Sequence, residues 1–282
     1  MSLYRVSAVQ MVSTYDVEAN LRSAELLIEQ SAQQGAHMVV LPENFAVLDS
    51  GNLLHWGQQE QASGIFTQFL SEQSKKYELW IVGGTIPLVQ MPNGHPVDEG
   101  RVRAANLIYN DQGELVSRYD KIHLFDVQVN DSQGSYKESK IIEPGDAVVA
   151  AQTPAGLLGQ TICYDLRFPE LYSALANRGC VLLTVPSAFT ARTGQAHWQA
   201  LLQARAIENQ CFVIAPNQGG QHSKKRHTWG HSMIVDPWGA IIAQYESGPG
   251  LAMADLDFEW LKEIRDAMPV QQHKRFSVVM NP

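Results

Sequence analysis

Three residues whose side chains can act together in catalysis each follow a short apolar stretch of the sequence: Glu43, Lys121 and Cys163. If these stretches are strands whose ends converge, a carboxylate, an ammonium group and a thiol lie in one place. The carboxylate could then take the thiol proton and later activate water, while the ammonium group stabilises a thiolate and a tetrahedral oxyanion. Such a set favours acyl transfer from an amide or nitrile carbon through a thioester. The alternatives are a solvated glutamate, a solvated lysine and a buried cysteine that only packs.

The segment around Cys163 determines how its thiol would be presented. Residues 157–162 form an apolar run that predicts a buried strand, and residues 168–178 show the apolar spacing of a helix. Asp165 is of the type that caps a helix N-terminus. A cysteine at such a corner faces helix N-terminal amides, which lower the pKa of a thiol and bind a developing oxyanion. The backbone N–H of Tyr164 is the predicted oxyanion donor.

Strand and helix patterns alternate along the chain, with hairpins between them. Strands are predicted over residues 4–11, 38–41, 79–87, 102–110, 114–122, 157–162, 181–186, 212–215, 233–237, 240–245 and 251–256. Helices are predicted over residues 17–34, 65–76, 168–178, 197–209 and 258–267. Residues 130–141 read as a polar loop, and Gly83 and Gly84 indicate close approach of two backbone segments. No long polar linker interrupts the pattern, so we predict one α/β domain over residues 1–282, with mixed sheets, outer helices and a C-terminal tail from about residue 269.

The composition and charge of the chain fit a globular protein that binds neither nucleic acid nor membrane. Its 282 residues are 45% hydrophobic, and the formal net charge of −8 argues against non-specific binding to polyanions. Three cysteines without framework or metal-finger spacing predict free thiols and a reducing compartment. There is no secretory-signal pattern and no apolar run of membrane-spanning length. The sequence therefore predicts a soluble, cytoplasmic protein that acts on a small molecule.

Over essentially its whole length the chain resembles the nitrilase superfamily of carbon–nitrogen hydrolases. The blocks that carry the resemblance are LPENF around Glu43, YDKIHLFD around Lys121 and CYDLRFPEL around Cys163, in that order. The resemblance implies a nitrilase-like four-layer α-β-β-α sandwich with these three residues as a catalytic triad. It also implies that Glu138, in the loop after the lysine, is a second catalytic glutamate. The family chemistry requires no metal and no cofactor.

Within that superfamily the chain resembles the Nit1-type branch through HLFDV, PSAFTARTGQAHWQALLQARAIENQCFV, GHSMIVDPWG and YESGPGL. Members of this branch hydrolyse deaminated glutathione to 2-oxoglutarate and cysteinylglycine, a metabolite-repair reaction. The resemblance thus implies a thiol amidase that forms a homodimer through the helices after Cys163 and His197. An ω-amidase acting on 2-oxoglutaramate is the alternative within the same chemistry. A nitrilase and a catalytically silent scaffold are the remaining alternatives.

Both candidate substrates carry a 2-oxo-carboxylate, which needs a cation and a hydroxyl donor near the nucleophile. Arg167 could bind that carboxylate through both arms of its guanidinium group. The alternative is a structural pair of Arg167 with Glu170 or Asp165. By resemblance, Thr193 could donate a hydrogen bond to the substrate. Deaminated glutathione has a second, distal carboxylate, for which the basic residues 224–226 are candidates, although their charges also fit a solvated loop.

Overall fold

The computed structural model describes residues 3–48, 52–129 and 134–276, and two large β-sheets pack face to face between two layers of helices. The strands are β1 (Tyr4–Gln10), β2 (Met38–Val40), β3 (Trp80–Val82), β4 (Ile86–Leu88), β5 (Arg103–Tyr109), β6 (Leu115–Asp120), β7 (Asp126–Gln128), β8 (Ser135–Lys137), β9 (Ala150–Thr153), β10 (Gly156–Gln160), β11 (Leu182–Thr184), β12 (Phe212–Ala215), β13 (Ser232–Val235), β14 (Ile241–Tyr245) and β15 (Gly250–Leu256). The helices are α1 (Val17–Gln33), α2 (Leu53–Ser63), α3 (Ile65–Tyr77), α4 (Pro169–Asn177), α5 (Ala191–Thr193), α6 (Gln199–Asn209), α7 (Phe258–Ala267) and α8 (Val270–His273). Two 3-10 turns cover Glu138–Lys140 and Cys163–Arg167, and a π-helical turn, Gly194–Trp198, leads into α6.

Both large sheets are mixed, as predicted. The first has the order β15-β1-β2-β3-β5-β4, with β6 also paired to β5, and the second has the order β14-β13-β12-β11-β10-β9. Neighbouring strands run parallel in the β1-β2-β3 part of the first sheet and in the β10-β11-β12 part of the second, while the other pairs are antiparallel. Parallel neighbours end at the same sheet edge. The loops after β2 and after β10 are therefore each presented at the carboxyl end of a parallel segment.

Alternating side chains sort the core into three layers. Met38 and Val40 of β2 share a core with Leu182 of β11, between the two sheets. Val39, which points the other way, packs in the core under α1 and α3. Leu183 of β11 packs in the core under α4 and α6. This period of two, repeated on both sheets, produces the four-layer α-β-β-α sandwich implied by the resemblance.

The predicted strand at residues 79–87 is interrupted in the structure. It forms β3 and β4, and the chain turns between them at Gly83 and Gly84. Gly84 has a φ of +53°, and a Cβ added there would lie 2.1 Å from the Pro42 carbonyl oxygen. The predicted close approach of two backbone segments is confirmed. The Gly83–Gly84 turn packs against Pro42, the residue that precedes Glu43.

Three further segments differ from the prediction. Helix α2 was not predicted, because its sequence is mostly polar and buries only Leu53, Gly57 and Glu60. The predicted polar loop at residues 130–141 contains β8 and a 3-10 turn, while its residues 130–133 lie outside the described residues. The predicted tail contains α8, and its residues 277–282 also lie outside them.

The three cysteines are free and buried. No helix in the described ranges has the length and apolar character needed to cross a bilayer. The cytoplasmic location stays a prediction.

Candidate active site

Lys121 is buried between two carboxylates directly after β6. Its Nζ lies 2.7 Å from Oε1 of Glu43, and 2.8 and 2.9 Å from the two carboxylate oxygens of Glu138. The Lys121 N–H donates to the Ala104 carbonyl at 3.0 Å, and the Lys121 carbonyl accepts from the Gly145 N–H at 2.8 Å. An ammonium group has three N–H donors, and each of them has an acceptor here. The lysine therefore holds both glutamates at fixed positions.

Glu43 follows β2 in a loop that its neighbours keep in place. The next residue, Asn44, has a φ of +58°, and its N–H donates to Oγ1 of Thr85 at 2.8 Å. The Glu43 carbonyl accepts a hydrogen bond from the Gln218 side-chain amide at 3.1 Å. Because the backbone on either side is tied to the sheets, the Glu43 side chain, 4% exposed, has little freedom to turn away from Lys121.

Cys163 has a backbone φ of +46°, a conformation that residues other than glycine seldom adopt. Its N–H donates to the Pro186 carbonyl at 2.9 Å, which connects the loop after β10 to the loop after β11. Strained backbone of this type is concentrated at functional sites. The turn brings Cys163 to the wall of the cavity that Glu43 and Lys121 also line. The sequence carries no signal for this backbone angle.

Asp165 joins the Cys163 turn to the segment that carries Lys121. Its completely buried carboxylate accepts hydrogen bonds from the Tyr119 hydroxyl at 2.7 Å and from the Ile162 N–H at 2.8 Å. The same carboxylate lies 2.7 Å from Nδ1 of His123. Asp165 is thus a positioning residue that fixes the two loops relative to each other, a role that its sequence position does not reveal.

The predicted helix at residues 168–178 is present as α4, but Cys163 does not lie at its N-terminus. Cys163–Arg167 forms one 3-10 turn, and α4 begins only at Pro169, so the prediction that Asp165 caps the helix is wrong. Burial raises the pKa of the Cys163 thiol well above its usual value, and the charge of Glu43 raises it further. The prediction of a lowered thiol pKa is therefore wrong as well. Cys163 keeps its proton at neutral pH and needs a base to activate it.

The two glutamates determine the charge state of Lys121. Burial by itself lowers the pKa of a lysine, but the charges of Glu138 and Glu43 outweigh it and hold the pKa of Lys121 well above its usual value. Burial also raises the pKa of Glu138, while the nearby Lys121 charge acts in the opposite direction. Lys121 is consequently an ammonium group at neutral pH and can donate hydrogen bonds to a developing negative charge.

These side chains open on a cavity of about 400 Å³, a size suited to a small molecule. The four predicted catalytic residues Glu43, Lys121, Glu138 and Cys163 all line it. Aromatic, aliphatic and basic side chains complete its wall, among them Phe125, Tyr136, Val47, Leu53 and Arg226. The cavity therefore combines an acid–base cluster, a thiol and two further cations on its wall, the exposed Lys137 and the half-buried Arg226.

Arg167 does not line this large cavity in the structure. It lines a smaller, adjoining cavity of about 20 Å³, which shares Phe125 and Cys163 with the large one. One terminal nitrogen of Arg167 lies 3.2 Å from Nδ1 of His197. Among the ion pairs of the described residues, none joins Arg167 to Glu170 or Asp165, the structural alternatives considered from the sequence. Its substrate-binding role stays a prediction.

Tyr164 and Thr193 also line the small cavity. Tyr164 follows Cys163 within the 3-10 turn, and its ring packs edge-on against Phe125 with centroids 5.0 Å apart. Oγ1 of Thr193 lies 2.9 Å from Oγ1 of Thr190. The oxyanion contact predicted for Tyr164 and the substrate contact predicted for Thr193 stay predictions.

The three basic residues 224–226 differ in their exposure. Lys224 and Lys225 are exposed, whereas Arg226 is half-buried and lines the large cavity. The solvated-loop interpretation therefore fits the two lysines only. Sequence reasoning could not separate the arginine from its neighbours, because the three charges are consecutive.

The carbon-nitrogen hydrolase family model matches residues 5–266 of the chain. The deaminated glutathione amidase of Synechocystis sp. (strain PCC 6803 / GT-S) is 44% identical over 283 residues, covering 98% of this chain and 100% of the relative. The deaminated glutathione amidase of Yersinia enterocolitica is 40% identical, covering 96% of this chain and 93% of the relative. The Homo sapiens deaminated glutathione amidase is 38% identical, with coverage of 96% and 82%.

Solved structures agree in fold. The C. elegans NitFhit protein superposes with a TM-score of 0.88 at 34% identity, covering 100% of this chain and 68% of that chain. Saccharomyces cerevisiae Nit3, described as a member of branch 10 of the nitrilase superfamily, superposes with a TM-score of 0.85 at 31% identity and covers 97% of both chains.

Proposed function

Because the chain belongs to the carbon-nitrogen hydrolase family, we propose that it is a thiol amidase that hydrolyses deaminated glutathione to 2-oxoglutarate and cysteinylglycine. The observation that carries the reaction class is that the Cys163 thiol, Glu43 and the Lys121 ammonium group line one cavity. The substrate is supported by relatives with that activity, which match nearly the full chain at 38 to 44% identity. The family match over residues 5–266 supports one catalytic domain.

In the first half of the proposed reaction, Glu43 takes the proton of the Cys163 thiol as the sulfur attacks the amide carbon. The resulting oxyanion is stabilised by Lys121, which exchanges one of its two contacts with Glu138 for the new charge, and by the backbone N–H of Tyr164. Glu43 then transfers its proton to the amide nitrogen as the carbon–nitrogen bond breaks. Cysteinylglycine leaves, and a 2-oxoglutaryl thioester remains on Cys163.

In the second half, Glu43 removes a proton from a water molecule, which attacks the thioester carbon. Lys121 stabilises the second oxyanion in the same position as the first. The carbon–sulfur bond breaks, 2-oxoglutarate leaves, and the proton held by Glu43 returns to the sulfur of Cys163. Glu138 acts as a positioning residue throughout, because it keeps the Lys121 ammonium group between the two carboxylates.

The substrate is tested by comparing kcat/KM for deaminated glutathione and for 2-oxoglutaramate, with 2-oxoglutarate release as the readout. We expect a preference of at least about tenfold for deaminated glutathione, since the large cavity offers contacts for the dipeptide that an ammonia leaving group cannot use. A preference for 2-oxoglutaramate would make the protein an ω-amidase. Hydrolysis of neither compound would contradict the proposed substrate while leaving the family membership unaffected.

We also propose that the protein is a homodimer in which α6 lies at the interface. The side of α6 that faces its own core carries Leu202 and Ala206. Ile207 is 48% exposed and lies against Gly239, the residue after the 60% exposed Trp238 on the β13–β14 hairpin. Covering such an apolar patch favours association.

The expected mass in solution is twice that of the 31.3 kDa chain. Light scattering measures it directly. The variant Ile207→Glu should shift the mass toward that of one chain, because a carboxylate is costly to bury at an interface. A single-chain mass for the unmodified protein would contradict the dimer.

A further inference from the structure

The guanidinium group of Arg226 is a cation on the wall of the large cavity, and no carboxylate of the described residues forms an ion pair with it. Its Cζ lies over the Tyr136 ring, 5.3 Å from the ring centroid, and one terminal nitrogen donates to the Ala188 carbonyl at 3.4 Å. Nε of Arg226 is buried without a hydrogen-bond partner in the described structure. A half-buried guanidinium group in this state is stabilised by an anion entering the cavity.

The loop that carries Arg226 is fixed, so the charge is presented in one place. Nδ1 of His222 donates to the Ser13 carbonyl at 2.7 Å, and Nε2 accepts from the Thr228 hydroxyl at 2.6 Å. The His222 N–H also donates to the Arg226 carbonyl at 2.9 Å. Burial lowers the pKa of His222 to about 4, so the ring is neutral at pH 7 and keeps this hydrogen-bond pattern. A fixed arginine loses little freedom when it binds a ligand.

The position of Glu43 decides which half of the substrate meets Arg226. The departing amine must face Glu43, since that residue supplies its proton in the proposed reaction. Glu43 lines the large cavity and is absent from the lining of the small one. The leaving group therefore occupies the large cavity, whose wall also carries Arg226. Arg167 is absent from that wall and lines the small cavity.

We propose that Arg226 is the specificity-determining residue that binds the terminal carboxylate of the dipeptide leaving group. This inference rests on the proposed function and names the contact that distinguishes a peptide leaving group from ammonia. Lys224 and Lys225, the neighbouring cations, are exposed and do not line the cavity. Only the arginine of the three is assigned this role.

The test compares the unmodified protein with Arg226→Gln on three substrates. These are deaminated glutathione, the same compound with its terminal carboxylate converted to an amide, and 2-oxoglutaramate. For Arg226→Gln we expect kcat/KM on deaminated glutathione to fall about 10- to 100-fold, mainly through KM, because a charge-assisted hydrogen-bonded pair is lost. For the unmodified protein, kcat/KM on the amidated compound should be lower than on deaminated glutathione by a similar factor. Arg226→Gln should not lower kcat/KM on the amidated compound further, because both changes remove the same contact. The loss on 2-oxoglutaramate should be at least about fivefold smaller than that on deaminated glutathione.

Two further variants distinguish a loss of substrate recognition from damage to the fold. Lys224→Gln removes a charge from the same loop outside the cavity lining and should change no rate. Arg226→Lys keeps the charge and should recover part of the lost affinity for deaminated glutathione. Equal losses on all three substrates, or no loss on deaminated glutathione, overturn the inference while the proposed function stands. Failure of the unmodified protein to cleave deaminated glutathione refutes the proposed function itself, and the inference with it.

Discussion

Cys163→Ala is expected to lower kcat for deaminated glutathione by at least about 10⁴-fold, because the sulfur forms the thioester in the first half-reaction and is its leaving group in the second. The fold should survive, since the substitution removes one sulfur atom and alanine is of similar size. We expect the free energy of unfolding to change by about 1 kcal/mol or less. Product release and urea denaturation measure the two quantities on the same preparation.

Cys163→Ser is the matched control for this prediction. It keeps a polar atom at the same position, but a hydroxyl group is a far poorer nucleophile than a thiol when a carboxylate is the base. The serine variant should therefore bind substrate and turn it over no faster than about a thousandth of the normal rate. Full activity of the Cys163→Ala variant would contradict the thioester mechanism.

Lys121→Met is expected to lower both activity and stability. Methionine is of similar length but has no charge, so Glu43 and Glu138 would face each other in a buried site without the ammonium group that lies 2.7 to 2.9 Å from their oxygens. Removing one partner of a buried ionic cluster typically destabilises a protein by about 3–5 kcal/mol. Loss of the oxyanion donor should lower kcat about 10²- to 10³-fold in addition. Urea denaturation and product release give the two effects separately.

A double variant separates the structural and the catalytic role of the lysine. In Lys121→Met combined with Glu138→Gln, one of the two buried negative charges is also gone, so we expect part of the lost stability to return. The activity should stay low, because the donor to the oxyanion is still missing. If the double variant regained activity together with stability, the lysine would serve only to hold the fold.

That Glu43, Lys121 and Cys163 each follow an apolar strand could be recognised in the sequence, but spacing alone did not establish their convergence, because these strands belong to two different sheets. The blocks around them carried the resemblance that added Glu138 and the four-layer fold. The elements with strong periodicity, such as α1 and α7, were predicted nearly to the residue. Sequence blocks and helix periodicity involve residues close together in the chain, so they can be recognised without knowledge of the fold.

The features that sequence reasoning missed depend on contacts between distant segments. Asp165 was predicted to cap a helix, but its side chain contacts Tyr119 of β6 and His123 in the loop after that strand. The raised pKa of the Cys163 thiol follows from its burial and from the charge of Glu43, which no spacing reveals. The positive φ of Cys163 also has no signal in the sequence. Arg226 was grouped with two solvated lysines, because only the fold shows which of three consecutive charges turns inward.

The most direct test of the central claim is to look for the covalent intermediate. Mixing the protein with deaminated glutathione, quenching with acid within the first turnovers and weighing the intact chain should reveal a species heavier by one 2-oxoglutaryl group. Peptide mapping should locate the added mass on Cys163, and Cys163→Ala treated in the same way should show none. Multiple turnovers with no such species at any quench time, or with the group attached elsewhere, would contradict a thioester mechanism at this cysteine.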